Sequence, residues 1–221
     1  MFALDLEAFG RAPLVRRPFE HLVLPGFIKP QARAAIIADY PQIEKPGSFP
    51  VSSVSHGPAF GQLLDELNGP QMRSAFEEKF AIDLAGRPTM ITARGRCCLR
   101  DGHIHTDSKD KIITVLVYFN PPWEQPGGRL RLLSSGNDLE NIVAEVPPDE
   151  GTLVCFRRSH NSYHGHKPFV GERRVVQFNW VTSNRSARAH ILRHRFSAVM
   201  KRIVPFASMP RAQAAESAER M

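Results

Sequence analysis

From about residue 88 to residue 182 the chain breaks into short runs of β-branched and other apolar residues, each closed by glycine or proline. KIITVLVYFN is followed by PPWEQPGG, RLRLLSSGND, NIVAEVPPDEG, TLVCF and finally RRVVQFNWV. No long helical pattern interrupts them. Many short strands with this punctuation and no helix between them are expected to pair antiparallel, in a sandwich or barrel. This pattern limits the fold more than any other feature of the chain.

The region before it reads differently. HLVLPGFI looks like a short apolar strand broken by Pro25 and Gly26. PQARAAIIADYP reads as a helix with Pro30 in its first turn and Pro41 stopping it. Gly47 to Gly57 is rich in serine, proline and glycine and reads as a loop. AFGQLLDELNG and PQMRSAFEEKFAI each space apolar residues three or four apart, as a helix with one buried face requires. These shifts divide the chain into a mostly helical segment (1–87), a β core (88–182), a basic helix (183–207) and a tail (208–221) that is expected to fray.

Charge and cysteine content narrow the class. The net charge is +7, but much of the excess lies in RSARAHILRHRFSAVMKR, from Arg185 to Arg202, which contains no acidic residue. A solvated amphipathic helix is the favoured reading of that stretch. Contact with nucleic acid, an acidic substrate or an anionic membrane is the less favoured one. Cys97, Cys98 and Cys155 are too few for a disulfide framework, and adjacent Cys97 and Cys98 would point to opposite faces of a strand. No apolar run approaches the length that crosses a bilayer. No basic stretch followed by an apolar one opens the chain, so no secretory signal is expected and a cytoplasmic location is the simplest.

Within the β region, His105 and Asp107 lie two apart in HIHTDS. Residues i and i+2 of an extended segment point to the same side, so an imidazole and a carboxylate can converge on one metal ion. A third ligand must come from elsewhere, and RSHNSYHGHKP offers His160, His164 and His166. Two histidines and one carboxylate on one face of an ion leave the opposite face open, the signature of non-haem Fe(II) oxygenases. Zinc is the competing metal. Further on, GERRVVQFNW opens an otherwise apolar strand with two arginines. Adjacent strand residues face opposite ways, so one reaches solvent. A guanidinium facing a barrel interior needs an anion, and its planar fork suits a carboxylate.

The span from about Gly102 to Val181 resembles the catalytic core of the prolyl 4-hydroxylase-like 2-oxoglutarate/Fe(II) oxygenases. The resemblance rests on His105-x-Asp107, VLVYFN followed by Trp123, GGRLRLL, YHGHKP and RRVVQFNW, in that order. It implies a double-stranded β-helix, a cupin-like jelly roll, with N-terminal helices packed against it. It implies Fe(II) held by His105, Asp107 and His164, with His166 beside the metal or exposed. 2-Oxoglutarate is the implied co-substrate, anchored by Arg174, six residues before Trp180, with Arg173 as the alternative and Tyr118 bonding the same carboxylate. Some relatives carry a hydroxyl residue four positions after the basic one; here that position is Phe178, or Gln177 if Arg173 is the anchor. Leu116, Leu130 and Val176 are expected to exclude water around the ligands.

The implied activity is that of a dioxygenase which hydroxylates an amino-acid-like, peptidyl or other polar small molecule. Succinate and CO2 leave, dioxygen is consumed, and ascorbate is a candidate reductant. Because Asp107 stands where a halogenase would carry a small residue, hydroxylation is expected. The alternative is a jelly-roll metal protein without oxygenase activity, either a binding module or a zinc hydrolase. Substrate selection is expected in the loops Gly47 to Gly57, Ser108 to Lys111 and Ser134 to Glu140. The oligomeric state is left open.

Overall fold

The computed structural model describes residues 2–185. The tail and nearly all of the basic helix expected after residue 182 lie outside the described residues. The N-terminal segment carries helices α1 (Leu6–Arg11), α2 (Pro30–Ala38), α3 (Pro58–Leu67) and α4 (Pro70–Phe80), with strands β1 (His21–Leu24) and β2 (Phe49–Pro50). The remaining strands are β3 (Thr89–Cys97), β4 (Lys111–Tyr118), β5 (Leu130–Leu133), β6 (Ile142–Val146), β7 (Leu153–Arg157), β8 (His164–Gly165) and β9 (Gly171–Val181).

All strand pairs are antiparallel. They form a six-stranded sheet, β1-β7-β4-β9-β3-β2, and a three-stranded sheet, β6-β5-β8. The two sheets are those of a jelly roll, mainly β with flanking helices. β1 and β2 are the edges of the large sheet although they come from the helical N-terminal segment.

Why both faces of the large sheet are covered can be read from its strands. In β4, Ile113, Val115 and Val117 point one way, and Thr114, Leu116 and Tyr118 the other. In β9, Val176, Phe178 and Trp180 share the first face with them, and Arg173, Val175 and Gln177 share the second. The first face lies under the helices. α3 presents Phe60, Leu63 and Leu67, and α4 presents Met72, Phe76 and Phe80, spacings that put each set on one helical stripe. Pro58 and Pro70 start these helices at a position whose N–H has no partner in any case. Phe76 stacks on Phe9 at 4.5 Å and meets the Trp180 ring at 5.0 Å. Each such buried side chain contributes roughly 1.5–3 kcal/mol. The helices are thus a lid on the outer face, and they leave the inner face to the small sheet.

On the inner face Phe19, Tyr118, Val154, Phe156 and Val175 pack with Leu130, Leu132 and Val146 of the small sheet. Tyr118, Leu130 and Val175 of this cluster also line a cavity between the sheets, and the chemistry-bearing side chains collect around it. Among the described residues no helix is long and apolar enough to cross a membrane. All three cysteines are free, with Cys97 and Cys155 buried and Cys98 half-buried.

Candidate metal centre

His105 lies in the irregular segment between β3 and β4, and one backbone pairing fixes its place. His105 N–H donates to the His164 carbonyl at 3.0 Å, and His164 N–H donates back to the His105 carbonyl at 3.0 Å. Residues paired this way carry their side chains on the same side of the sheet, and the two rings lie 4.3 Å apart. Asp107, two residues on, shares that side. One ligand atom from each of His105, Asp107 and His164 falls within 4.8 Å of the others.

The hydrogen bonds prepare these groups as ligands. Nδ1 of His105 lies 2.8 Å from the His103 carbonyl, and Nδ1 of His164 lies 3.0 Å from the Ser162 carbonyl. A carbonyl only accepts, so each Nδ1 carries a proton and Nε2 is the nitrogen left to face a metal ion. Burial pushes His164 down to about 4, so its ring is neutral near pH 7. Burial disfavours ionisation of Asp107, but the Lys111 ammonium and neighbouring donors outweigh it and hold the carboxyl at about 2. The donor set is therefore two imidazoles and one carboxylate, which suits a divalent transition metal.

His105, Asp107 and His164 line a cavity of about 240 Å³ between the sheets. Of the rival histidines, His160 is exposed and does not line the cavity, whereas His166 does. His166 is buried, with Nδ1 2.8 Å from the Lys167 carbonyl, but its atoms are not part of the three-residue cluster. Gly102 faces it with φ +95, and a Cβ at Gly102 would lie 2.4 Å from the His166 carbonyl oxygen. A glycine is required there to bring the His105 segment against β8.

The two arginines of β9 face opposite ways. Arg173 is 5% exposed and lines the cavity. Its Nε donates to the Gly128 carbonyl at 2.7 Å, and its Nη2 donates to the Tyr118 hydroxyl at 3.3 Å. Among the described residues no carboxylate lies within ion-pair distance of Arg173. Arg174 pairs with Glu172 at 2.8 Å, sits over the Tyr40 ring, and does not line the cavity. The sequence preference for Arg174 as anchor therefore meets an outward-facing side chain, and Arg173 is the arginine that reaches the interior. The same parity moves Val176, expected around the ligands, to the face under the helices, and puts Val175 beside Leu116 and Leu130 in the cavity wall.

Tyr118 is fully buried at the same end of the cavity. Burial pushes its hydroxyl pKa up, so the proton stays on. Because that hydroxyl accepts from Arg173, its own hydrogen is free for an anion. Of the loops expected to select substrate, Gly47 to Gly57 contributes Ser48 and Ser108 to Lys111 contributes Lys111, while Ser134 to Glu140 contributes nothing to the wall. Sequence reasoning missed several residues here. Arg94, paired with Asp101 at 2.8 Å, lines the cavity, and so do Thr92 and Thr114. Arg158 holds the Asp107 carbonyl at 3.1 Å.

Residues 97–182 match the family model of the 2OG-Fe(II) oxygenase superfamily. Among solved structures, a Pseudomonas putida prolyl-4-hydroxylase is similar with TM-score 0.54 at 18% identity, over 80% of this chain and 97% of that one. A prolyl 4-hydroxylase from Phytophthora capsici is similar with TM-score 0.55 at 14% identity, over 91% of this chain and 76% of that one. The viral collagen prolyl hydroxylase of Paramecium Bursaria Chlorella virus-1, solved with 2OG, gives TM-score 0.50 at 16% identity, over 73% of this chain and 94% of that one. At these identities the likeness is one of fold. No curated protein matches the chain.

Proposed function

We propose that this chain, whose residues 97–182 match the family model of the 2OG-Fe(II) oxygenase superfamily, is a dioxygenase that hydroxylates a polar small molecule, amino-acid-like or peptidyl. His105, Asp107 and His164 would hold Fe(II), and Arg173 with Tyr118 would hold the far carboxylate of 2-oxoglutarate. One observation carries the reading: Arg173 is buried without a carboxylate partner among the described residues, in the same cavity as a two-histidine, one-carboxylate cluster. A buried, unpaired guanidinium is costly, and a dicarboxylate reaching from the metal to Arg173 would relieve that cost.

Bound there, iron with 2-oxoglutarate and dioxygen supplies the oxidising chemistry, and the co-substrate leaves as succinate and CO2. The chain's own residues bind, orient and exclude water. Arg173 offers a planar fork fixed by its Gly128 contact, so less freedom is lost when the carboxylate arrives. Tyr118 donates its hydroxyl hydrogen to the same group. Leu116, Leu130 and Val175 keep that end dry, which strengthens both contacts. Thr92 and Arg94, on β3 beside Gln177 and Val175, join Ser48 and Asp101 in adding polar groups to the cavity wall, which favours a polar substrate over an apolar one. A cavity of about 240 Å³ that must also accept the co-substrate leaves room for a small molecule or a single side chain.

The test is succinate release from 2-oxoglutarate by purified protein supplied with Fe(II) and ascorbate, first alone and then with a panel of free amino acids and short peptides. Slow release that depends on Fe(II), is stimulated by one class of substrate and is absent from His164→Ala is the expected result. No consumption of 2-oxoglutarate, together with zinc-supported hydrolysis, would contradict it.

A further inference from the structure

Both oxygens of Asp107 are engaged. Lys111 Nζ donates to Oδ1 at 2.7 Å, and the Thr114 hydroxyl donates to Oδ2. Behind Thr114 stands Asn179, fully buried, whose Nδ2 donates to Thr114 Oγ1 at 2.8 Å. Gln177 Nε2 in turn donates to Asn179 Oδ1 at 3.2 Å. The row is laid down by strand register: Thr114 of β4 sits opposite Asn179 of β9, and Gln177 is two residues away on the same face.

Chemistry alone sets the direction of this row. A ligating carboxylate has no hydrogen, so Thr114 must give it its single hydroxyl proton. The Thr114 oxygen can then only accept, so the amide nitrogen of Asn179 must face it. The Asn179 oxygen is thereby turned towards Gln177, which must answer with its own N–H. Each member has one compatible orientation, and the hydroxyl hydrogen of Thr114 is aimed at Asp107.

We propose that Thr114 and Asn179 are positioning residues that restrict Asp107 to ligating the metal through one oxygen. The proposal rests on the metal site proposed above. Two imidazoles and one carboxylate oxygen would leave an ion with positions open for other ligands. A carboxylate that swung round to ligate with both oxygens would take one of them. Asp107 cannot swing while Thr114 pins one oxygen and Lys111 the other. Gln177 also lines the cavity, four residues after Arg173, so the row runs from the wall of the co-substrate pocket to the metal ligand.

Anaerobic Co(II), standing in for Fe(II), tests this on the full chain by chelator competition and by its visible ligand-field bands. Thr114→Ser keeps the hydroxyl and is expected to match the wild type. Thr114→Val frees one oxygen of Asp107 to ligate and is expected to alter the bands, with an affinity shifted roughly 10–100-fold from the wild type. Asn179→Ala leaves the hydroxyl but removes what aims it, and a several-fold shift in the same direction with the same change of bands is expected. The valine also strands the Asn179 amide, so a lower Tm follows on any reading, and affinity and bands decide. Wild-type affinity and bands in Thr114→Val overturn the proposal; if that variant does not fold, the same result in Asn179→Ala overturns it. Failure of the wild type to bind Co(II) overturns the metal site itself, and this role with it.

Discussion

Asp107→Ala is expected to abolish turnover and, unlike a change at a solvent-exposed ligand, to cost stability as well. Sequence alone suggests a residue that serves the site and not the core. In the structure Asp107 is 7% exposed and neutralises Lys111, whose side chain is 9% exposed. Removing one partner of a buried pair leaves the other charge uncompensated, a loss of roughly 3–5 kcal/mol where the charge cannot escape. Lys111 lines the cavity and can reach water through it, so a loss nearer the lower figure is expected. Adding Lys111→Met to Asp107→Ala should recover most of that stability and none of the activity. Chemical denaturation of the single and double variants, read beside succinate release, checks both halves. If Asp107→Ala retains turnover, Asp107 is not a ligand.

The second large effect is expected at Arg173. Truncation to alanine removes the charge that would face the distal carboxylate of 2-oxoglutarate. Losing one side of a buried, hydrogen-bonded charge pair costs about 2–5 kcal/mol. This corresponds to a rise in the 2-oxoglutarate requirement of roughly 30-fold to a thousandfold or more. Arg174→Ala removes a half-exposed pair with Glu172 and should change the requirement by less than about twofold. Arg173→Lys keeps the charge but loses the fork and the Gly128 contact, so an intermediate value is expected. Sensitivity at Arg174 with indifference at Arg173 would reverse the assignment.

The contrast between the two arginines shows what the sequence made legible. The resemblance points to Arg174, six residues before Trp180, and an even spacing places both on one face of the strand. That face packs on α4, with Trp180 against Phe76, so the residue chosen by the spacing faces away from the cavity. The informative signal was the alternation itself. Val176, Phe178 and Trp180 are uniformly apolar, whereas Val175, Gln177 and Asn179 are mixed, and the mixed face is the one that lines a polar cavity. Arg173 has the parity of the mixed face.

His105 and Asp107 were legible for the same reason, since period two puts them side by side. That His164 joins them depends on a two-residue strand, β8, pairing with an isolated bridge, and no local pattern announces it. The helices α3 and α4 space their apolar residues three or four apart and α2 is bounded by prolines, so their placement was readable. β3 was harder, because TMITARGRC interrupts its apolar residues with two arginines and a glycine. The structure accounts for the interruptions: Arg94 faces the cavity, and a Cβ at Gly95 would lie 2.3 Å from the Ile43 carbonyl oxygen. Lys111 ends the polar run SKDK, expected to help select substrate, and its ammonium is instead buried on Asp107. Thr114 and Asn179 look like ordinary strand residues, and only the register between β4 and β9 brings them together.

The most direct test of iron and 2-oxoglutarate sharing this cavity is an anaerobic titration of metal-free protein with Fe(II) and then 2-oxoglutarate, followed in the visible. A metal-to-ligand charge-transfer band is expected to grow to one equivalent in the wild type. It should require far more 2-oxoglutarate in Arg173→Ala and be missing from His164→Ala. Iron binding with no band at any 2-oxoglutarate concentration, or a band that persists unchanged in His164→Ala, would contradict the assignment.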